Sequence, residues 1–445
     1  MAKVLIPLGL NRTQAASTTA YLNLPMGEIS AYTAETSAQR TFRTAGTLSK
    51  LWINISTNDR GASTFRLRKN AGNGNQVISI GASATGEFTD SSNTDAIIAG
   101  DEVNYSMVTG AGGTTFMIGV ISIIFDATAN TVIIGGTGSV NFSTASTTTY
   151  TALAGENRYN ATEAKTQTQL NTAGTLKNLF VNVSANARTT TTTFRSRVNG
   201  GNGNMSISVG SGATGIFEDT ANTDTIAAND LVNCSCSTGT GTETLTIQMT
   251  STEFETTDKT SYIAGWYQSN TILIGLTCYL AIAGGGTNSA TESNAAIDAQ
   301  LSGTVSNLWL YISANSITAN TTFRLRKNVE IGNQVITIGA STTGSFEDTT
   351  NSDTFVSTDE LNYRIVTGAT GTSIQLEAFG MKFLNTDIQV IQPRIIGYGI
   401  TPVGFTRLKE LIIGLLILLG IGLSLFIGNF LVQEWNSYKL FKKDY

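Results

Sequence analysis

Three stretches of this chain carry nearly the same message. TFRLRKN at residues 64–70 returns as TFRSRVN at 193–199 and as TFRLRKN at 322–328. Phe65, Phe194 and Phe323 therefore stand 129 positions apart. A preceding block recurs with them: AGTLSKLWINIS (45–56), AGTLKNLFVNVS (173–184) and SGTVSNLWLYIS (302–313). A following block does the same: GEFTDSSNTD (86–95), GIFEDTANTD (215–224) and GSFEDTTNSD (344–353). Each copy closes on a strand-like run ending at Phe125, Phe254 or Phe383. A unit of this length is no solenoid repeat, because it is large enough to bury a core of its own. The division expected is three tandem β-sandwich repeats at 1–130, 131–258 and 259–385.

Within a copy the apolar pattern has period two. In KLWINIS, Leu51, Ile53 and Ile55 alternate with Trp52, Asn54 and Ser56; in TFRLRKN, Phe65 and Leu67 face one way and Arg66 and Arg68 the other. Such alternation, broken by Gly, Asn, Asp and Thr turns, marks half-buried strands. The expected fold is all-β: three tandem antiparallel jelly-roll or β-sandwich domains, followed by one C-terminal transmembrane helix.

That helix is read from the end of the chain. A connector, 386–410, holds Pro393 and Pro402. From Leu411 to Val432 no charged residue occurs. As a helix this run spans roughly 33 Å, enough to cross a bilayer core. Gly414, Gly420, Gly422 and Gly428 leave room for close helix packing, though not at GxxxG spacing. Trp435 and Tyr438 suit the membrane interface, and Lys439, Lys442 and Lys443 make 433–445 a basic tail. The opening MAKVLIPLGLNRTQAAS has an apolar run broken by Pro7 and reads as a first strand rather than an export signal.

Histidine is absent. His general bases, Ser–His–Asp triads and His-ligated metals are thereby removed. Cys234, Cys236 and Cys278 fit neither a zinc spacing nor a disulfide framework and read as buried thiols. A net charge of −5, without clustered Lys or Arg, does not suggest nucleic acid as a partner. The glycine-rich turns lack the Lys-Ser/Thr and the helix of a phosphate loop, so they read as hairpin turns with Asn and Gly at positive φ.

Two charged motifs remain. Asp90, Asn93 and Asp95 recur as Asp219, Asn222 and Asp224 and as Asp348, Asn351 and Asp353. Clustered oxygens of this kind could hold Ca²⁺. No EF-hand-like ladder accompanies them, so Asx-turn hydrogen bonding is the reading taken, with calcium as the alternative and no other cofactor. The arginine pairs 66/68, 195/197 and 324/326 read as partners of those Asp-rich turns, or of a neighbouring domain, rather than as an anion site. Sequons occur at Asn54, Asn104, Asn141, Asn160, Asn182, Asn204, Asn233 and Asn320. Asn104 and Asn233 align with Asn362, which has no sequon, so a structural role is expected there.

The order AGTL, TFRLRKN, TGxFxD and AxDxVN resembles small jelly-roll modules of bacterial exosporium filaments and of phage and viral surface proteins, which look like the tumour-necrosis-factor type of jelly roll. The resemblance covers 45–126 and its two later copies. It implies jelly-roll modules that often form trimers, and the lack of a visible catalytic constellation makes a non-enzymatic structural protein the expectation. Joined to the apolar run, it leads to an expected spike, vertex or coat component of a membrane-containing virus. Such a protein would sit in the virion with its β-domains outside the membrane. Its expected partners are the lipid bilayer, other virion or envelope proteins, further copies of itself as trimer or pentamer, and a glycan receptor. The alternative is a prokaryotic cell-surface adhesin or envelope-layer protein.

Overall fold

The computed structural model describes residues 3–386, apart from 10, 11, 25, 28, 157, 257–259, 286 and 287. Among the described residues there are thirty strands, three 3-10 turns and no α-helix. The strands form where period two was read. In Ser63–Lys69, Phe65 and Leu67 are fully buried while Arg66 and Arg68 lie on the outer face. Each buried Phe of this kind stabilises by roughly 1.5–3 kcal/mol relative to exposure.

Every repeat contributes two sheets. In the first repeat one sheet runs Lys3–Leu8, Phe116–Ala127, Gly46–Asn58, Gly86–Ile97; the other runs Ala31–Tyr32, Thr19–Leu22, Glu102–Val108, Ser63–Lys69, Gly72–Ile80. The later repeats reproduce this order around Gly174–Asn186 and Thr192–Val198, and around Gly303–Asn315 and Thr321–Lys327. Most neighbouring strands are distant in sequence. The main sequential pair in each copy is the hairpin Ser63–Lys69/Gly72–Ile80 and its equivalents. Its turn residues Asn70 and Ala71 have φ of 51° and 57°, so both central positions are left-handed, as a type I′ turn requires.

The expectation of three tandem jelly-roll sandwiches is corrected here. The six sheets are arranged as a six-bladed β-propeller. Period-two patterning specifies strands and their inward faces, but it does not specify which sheets share a core. Reading each copy alone assigned it a separate interior. In the structure one hydrophobic cluster runs from Val4 through Phe254 to Phe383, across all three repeats. Residues 1–388 make a single compact unit. The apolar run 411–432, its glycines Gly414, Gly420, Gly422 and Gly428, and Trp435 and Tyr438 lie outside the described residues. Among those described, no helix is long and apolar enough to cross a membrane.

The repeats meet closely at equivalent glycines. Gly27 and Gly155 form a parallel bridge, and Gly27 O accepts the Gly9 N–H at 3.1 Å. At Gly284, φ is 89° and a Cβ would lie 2.6 Å from Gly27 O. No side chain fits where these backbones converge.

Candidate functional site

The repeated charged residues are placed first by local structure. Arg68 leaves its strand on the outer face and meets Glu35, in the 3-10 turn Glu35–Ser37, through Nε to Oε1 at 2.8 Å and Nη2 to Oε2 at 2.9 Å. Arg197 grips Glu163 in the same way at 2.8 and 3.0 Å, and Arg326 grips Glu292 at 2.8 and 3.0 Å. Two parallel charge-assisted bonds fix distance and angle together. The glutamate bonds hold Arg68 and Arg197 above the ordinary arginine pKa. The partner is thus a glutamate of a 3-10 turn, not the Asp-rich turn expected from sequence.

The aspartates are occupied with backbone N–H groups. Asp90 accepts from Val77 N at 2.8 Å, Ser92 N at 3.2 Å and Asn93 N at 3.1 Å, and from the Asn93 amide. Asp219 with Asn222, and Asp348 with Asn351, repeat the pattern. Burial alone would raise these three carboxyls. The hydrogen bonds outweigh it and hold all three below the usual carboxylate range. Asp95, Asp224 and Asp353 receive Asn75 N at 2.8 Å, Asn204 N at 2.6 Å and Asn333 N at 2.6 Å. Among the described residues no three His, Cys, Asp or Glu side chains converge as a metal site would need.

These carboxylates explain the glycines of the turn. A Cβ on Gly74 would lie 3.1 Å from Asp95 Oδ2, and one on Gly332 would lie 3.0 Å from Asp353 Oδ2. The positive φ angles fall instead on Asn70, Asn199 and Asn328 and on the residue after each. Gly74, Gly203 and Gly332 therefore give close approach rather than φ freedom.

A second set of polar residues joins the repeats, and only part of it recurs in sequence. At the seam from first repeat to second, Glu253 accepts Arg43 N at 2.7 Å, Thr44 Oγ1 at 2.7 Å and Asn178 Nδ2 at 2.8 Å. The Arg40 guanidinium lies 4.4 Å from the Phe180 ring centre and 3.6 Å from Glu218, to which Arg43 also pairs. Burial lowers the Arg40 pKa, while Glu253 and Glu218 oppose that shift. At the seam from second to third, Gln169 donates to Glu347, Asn171 to Asn307 O, and Trp266 Nε1 to Lys165 O at 2.6 Å. At the seam from third to first, Lys50 donates to Gln300 O, Gln300 Nε2 to Ser122 Oγ at 2.6 Å, and Asn54 to Ser293 O at 3.1 Å. The bond from Asn182 to Thr36 O, 2.7 Å, is the equivalent of the last one at the first seam.

Lys50, Asn178 and Asn307 occupy one repeat position and share φ of 55°, 56° and 53°. Each sits where its strand shifts register, and each reaches the neighbouring repeat. The third seam also holds an acidic contact. The Glu87 carboxyl stands near Glu360 and Asp298; desolvation first, and then Glu360, raises Glu87 to about 7.

Cys234, Cys236 and Cys278 are buried free thiols, and burial pushes Cys234 up to about 12 and Cys278 to about 11. Asn104 and Asn233 are fully buried, with Nδ2 bonded to Tyr105 O at 3.0 Å and Thr166 Oγ1 at 2.9 Å. Asn54 and Asn182 are spent at the seams. Asn141, Asn204 and Asn320 are exposed.

These features define an all-β repeat protein whose strongest polar chemistry holds it to itself. No protein-family model matches the chain. No curated protein matches it either. Among solved structures it is similar to one described as "The Triple Jelly Roll Fold and Turret Assembly in an Archaeal Virus", at 13% identity over 85% of this chain and 91% of that chain, with a TM-score of 0.16. A second, "Life in the extremes: atomic structure of Sulfolobus Turreted Icosahedral Virus", gives 13% identity over 85% and 92%, again with a TM-score of 0.16. Likeness at that TM-score defines neither fold nor function for this chain.

Proposed function

We propose that this chain is a non-enzymatic structural protein of a virus particle. It serves as a spike, vertex or coat component, held in a lipid layer by residues 411–432 and meeting other virion proteins and further copies of itself. The observation that carries the reading is the closed set of three seams. Charged and amide side chains that would otherwise serve chemistry are spent in joining first repeat to second, second to third and third to first. Arg68, Arg197 and Arg326, and Asp90, Asp219 and Asp348, are spent likewise within each copy. A building block loaded from outside needs this kind of internal bracing. The apolar run 411–432 supports the lipid attachment, since no charge interrupts it.

The test is to look for the protein in purified particles before and after mild detergent. Presence in intact particles, with release by detergent, is the expected result. Recovery only in a cell-envelope fraction would replace this reading with that of a surface adhesin.

A further inference from the structure

The third repeat departs from the other two at one place on its outer sheet. Tyr279, Arg364 and Arg324 stand in one row: Tyr279 is the register partner of Arg364, and Arg364 that of Arg324. Their chain neighbours Phe323, Leu325, Tyr363 and Ile365 point into the core, so both arginines lie on the outward face. The equivalent rows are Tyr21–Ser106–Arg66 and Tyr150–Ser235–Arg195. A serine has thus become an arginine directly opposite an arginine, a pairing that repels.

Nothing among the described residues relieves that repulsion. In the first repeat Arg66 Nη1 donates to Gly74 O at 3.1 Å, and in the second Arg195 Nη2 lies 3.5 Å from Ser206 Oγ. The side chains of Arg324 and Arg364 make no hydrogen bond or ion pair with any described residue, and Nε of Arg364 is buried without a partner. The nearby carboxylate, Glu292, is already clasped by Arg326. In the first repeat this location is a cavity of about 260 Å³ bordered by Tyr21, Arg66, Arg68 and Ser106. Arg364 holds the position of Ser106.

Two free guanidinium groups side by side ask for an anion with several oxygens, which each can grip through two N–H groups. The tyrosine beside them offers a flat face to a sugar ring. Nucleic acid fits poorly, because the chain carries a net charge of −5 and only two cations are free here. We propose that this face binds the acid group of a charged glycan, a uronic-acid carboxylate or a sugar sulfate, between Arg324 and Arg364, with Tyr279 against the ring. This site goes beyond the structural role and does not depend on it.

Calorimetric titration of the full-length chain with a glucuronate oligosaccharide, and separately with a sulfated uncharged-backbone oligosaccharide, tests the assignment. At least one binds, and the arm that binds identifies the acid group. Arg364→Ser restores the residue found at positions 106 and 235 and weakens that binding at least tenfold, while its melting temperature is no lower than the parent's. Arg66→Ala leaves affinity unchanged. Failure of both sugars to bind overturns the proposal, as does equal affinity in Arg364→Ser, or tighter binding of a single-stranded oligonucleotide than of either sugar.

Discussion

Glu253, fully buried on the second repeat, accepts the backbone N–H of Arg43 from the first at 2.7 Å. Thr44 and Asn178 complete its shell, and the buried Arg40 draws part of its compensation from the same charge. Removing one member of a buried charged network leaves the other uncompensated, at a cost of about 3–5 kcal/mol. Glu253→Ala is expected to destabilise the protein by that amount in urea unfolding. A loss below about 1 kcal/mol would mean that the seam is not held by this carboxylate.

The hairpin turn gives a prediction of opposite sign. Val329 has φ of 59°, and its equivalent in the second repeat is Gly200. A β-branched residue in the left-handed region costs about 1–2 kcal/mol, partly offset by the greater freedom that glycine has when unfolded. Val329→Gly should therefore stabilise by about 0.5–1 kcal/mol, seen as a rise in melting temperature. A fall would show that the exposed valine side chain has a partner.

Gly203 has the opposite requirement. A Cβ there would meet Ser196 Oγ and lie 2.6 Å from Asp224 Oδ2, which accepts from Ser196 Oγ at 2.5 Å, while Oδ1 of the same carboxylate accepts from Asn204 N at 2.6 Å. Gly203→Ala should cost about 2–3 kcal/mol by displacing the buried Asp224 carboxylate from its donors. Gly72→Ala, whose nearest neighbour would be Lys69 O at 3.2 Å, should cost less than 1 kcal/mol. Equal effects would remove the argument from close approach.

Stability should fall toward both ends of the pH scale for separate reasons. Glu87 is raised from 4.5 to about 7, so the folded state favours its protonated form. Its contribution is full below pH 4.5 and is lost as pH rises through about 7. Asp90, Asp219 and Asp348 are lowered, so their contribution is present above the unfolded carboxylate pKa and is lost as pH falls through their folded values. Glu87→Gln should flatten the decline between pH 5 and 8 and leave the acid limb in place. An unchanged alkaline limb, followed by thermal melts across pH, would separate Glu87 from that decline.

Strand positions and inward faces were legible because alternation is local: Phe65 and Leu67 are as buried as their spacing says. The partner of Arg68 was not, because Glu35 lies 33 residues away. A signal existed, since Glu35, Glu163 and Glu292 recur in step with the arginines. The seams were hidden for a different reason. Searching for what repeats discards Arg43, Asn171 and Gln300, which occupy one position and differ in every copy. The joining of sheets into one ring depends on those unlike residues, so a reading built on likeness stopped at three separate sandwiches.

Because all three seams close within one polypeptide, dilution cannot take the ring apart. Three free subunits would separate below some threshold concentration, whereas tethered copies hold each other at a local concentration fixed by the chain. Fusion also frees each junction to specialise. Identical subunits would have to build every junction from one set of side chains; here one uses Arg40 and Glu253, another Gln169 and Glu347, and the last Lys50 and Gln300. Each copy therefore has a unique pair of neighbours, and the order in which the copies are read from the gene is also the order in which they sit around the ring.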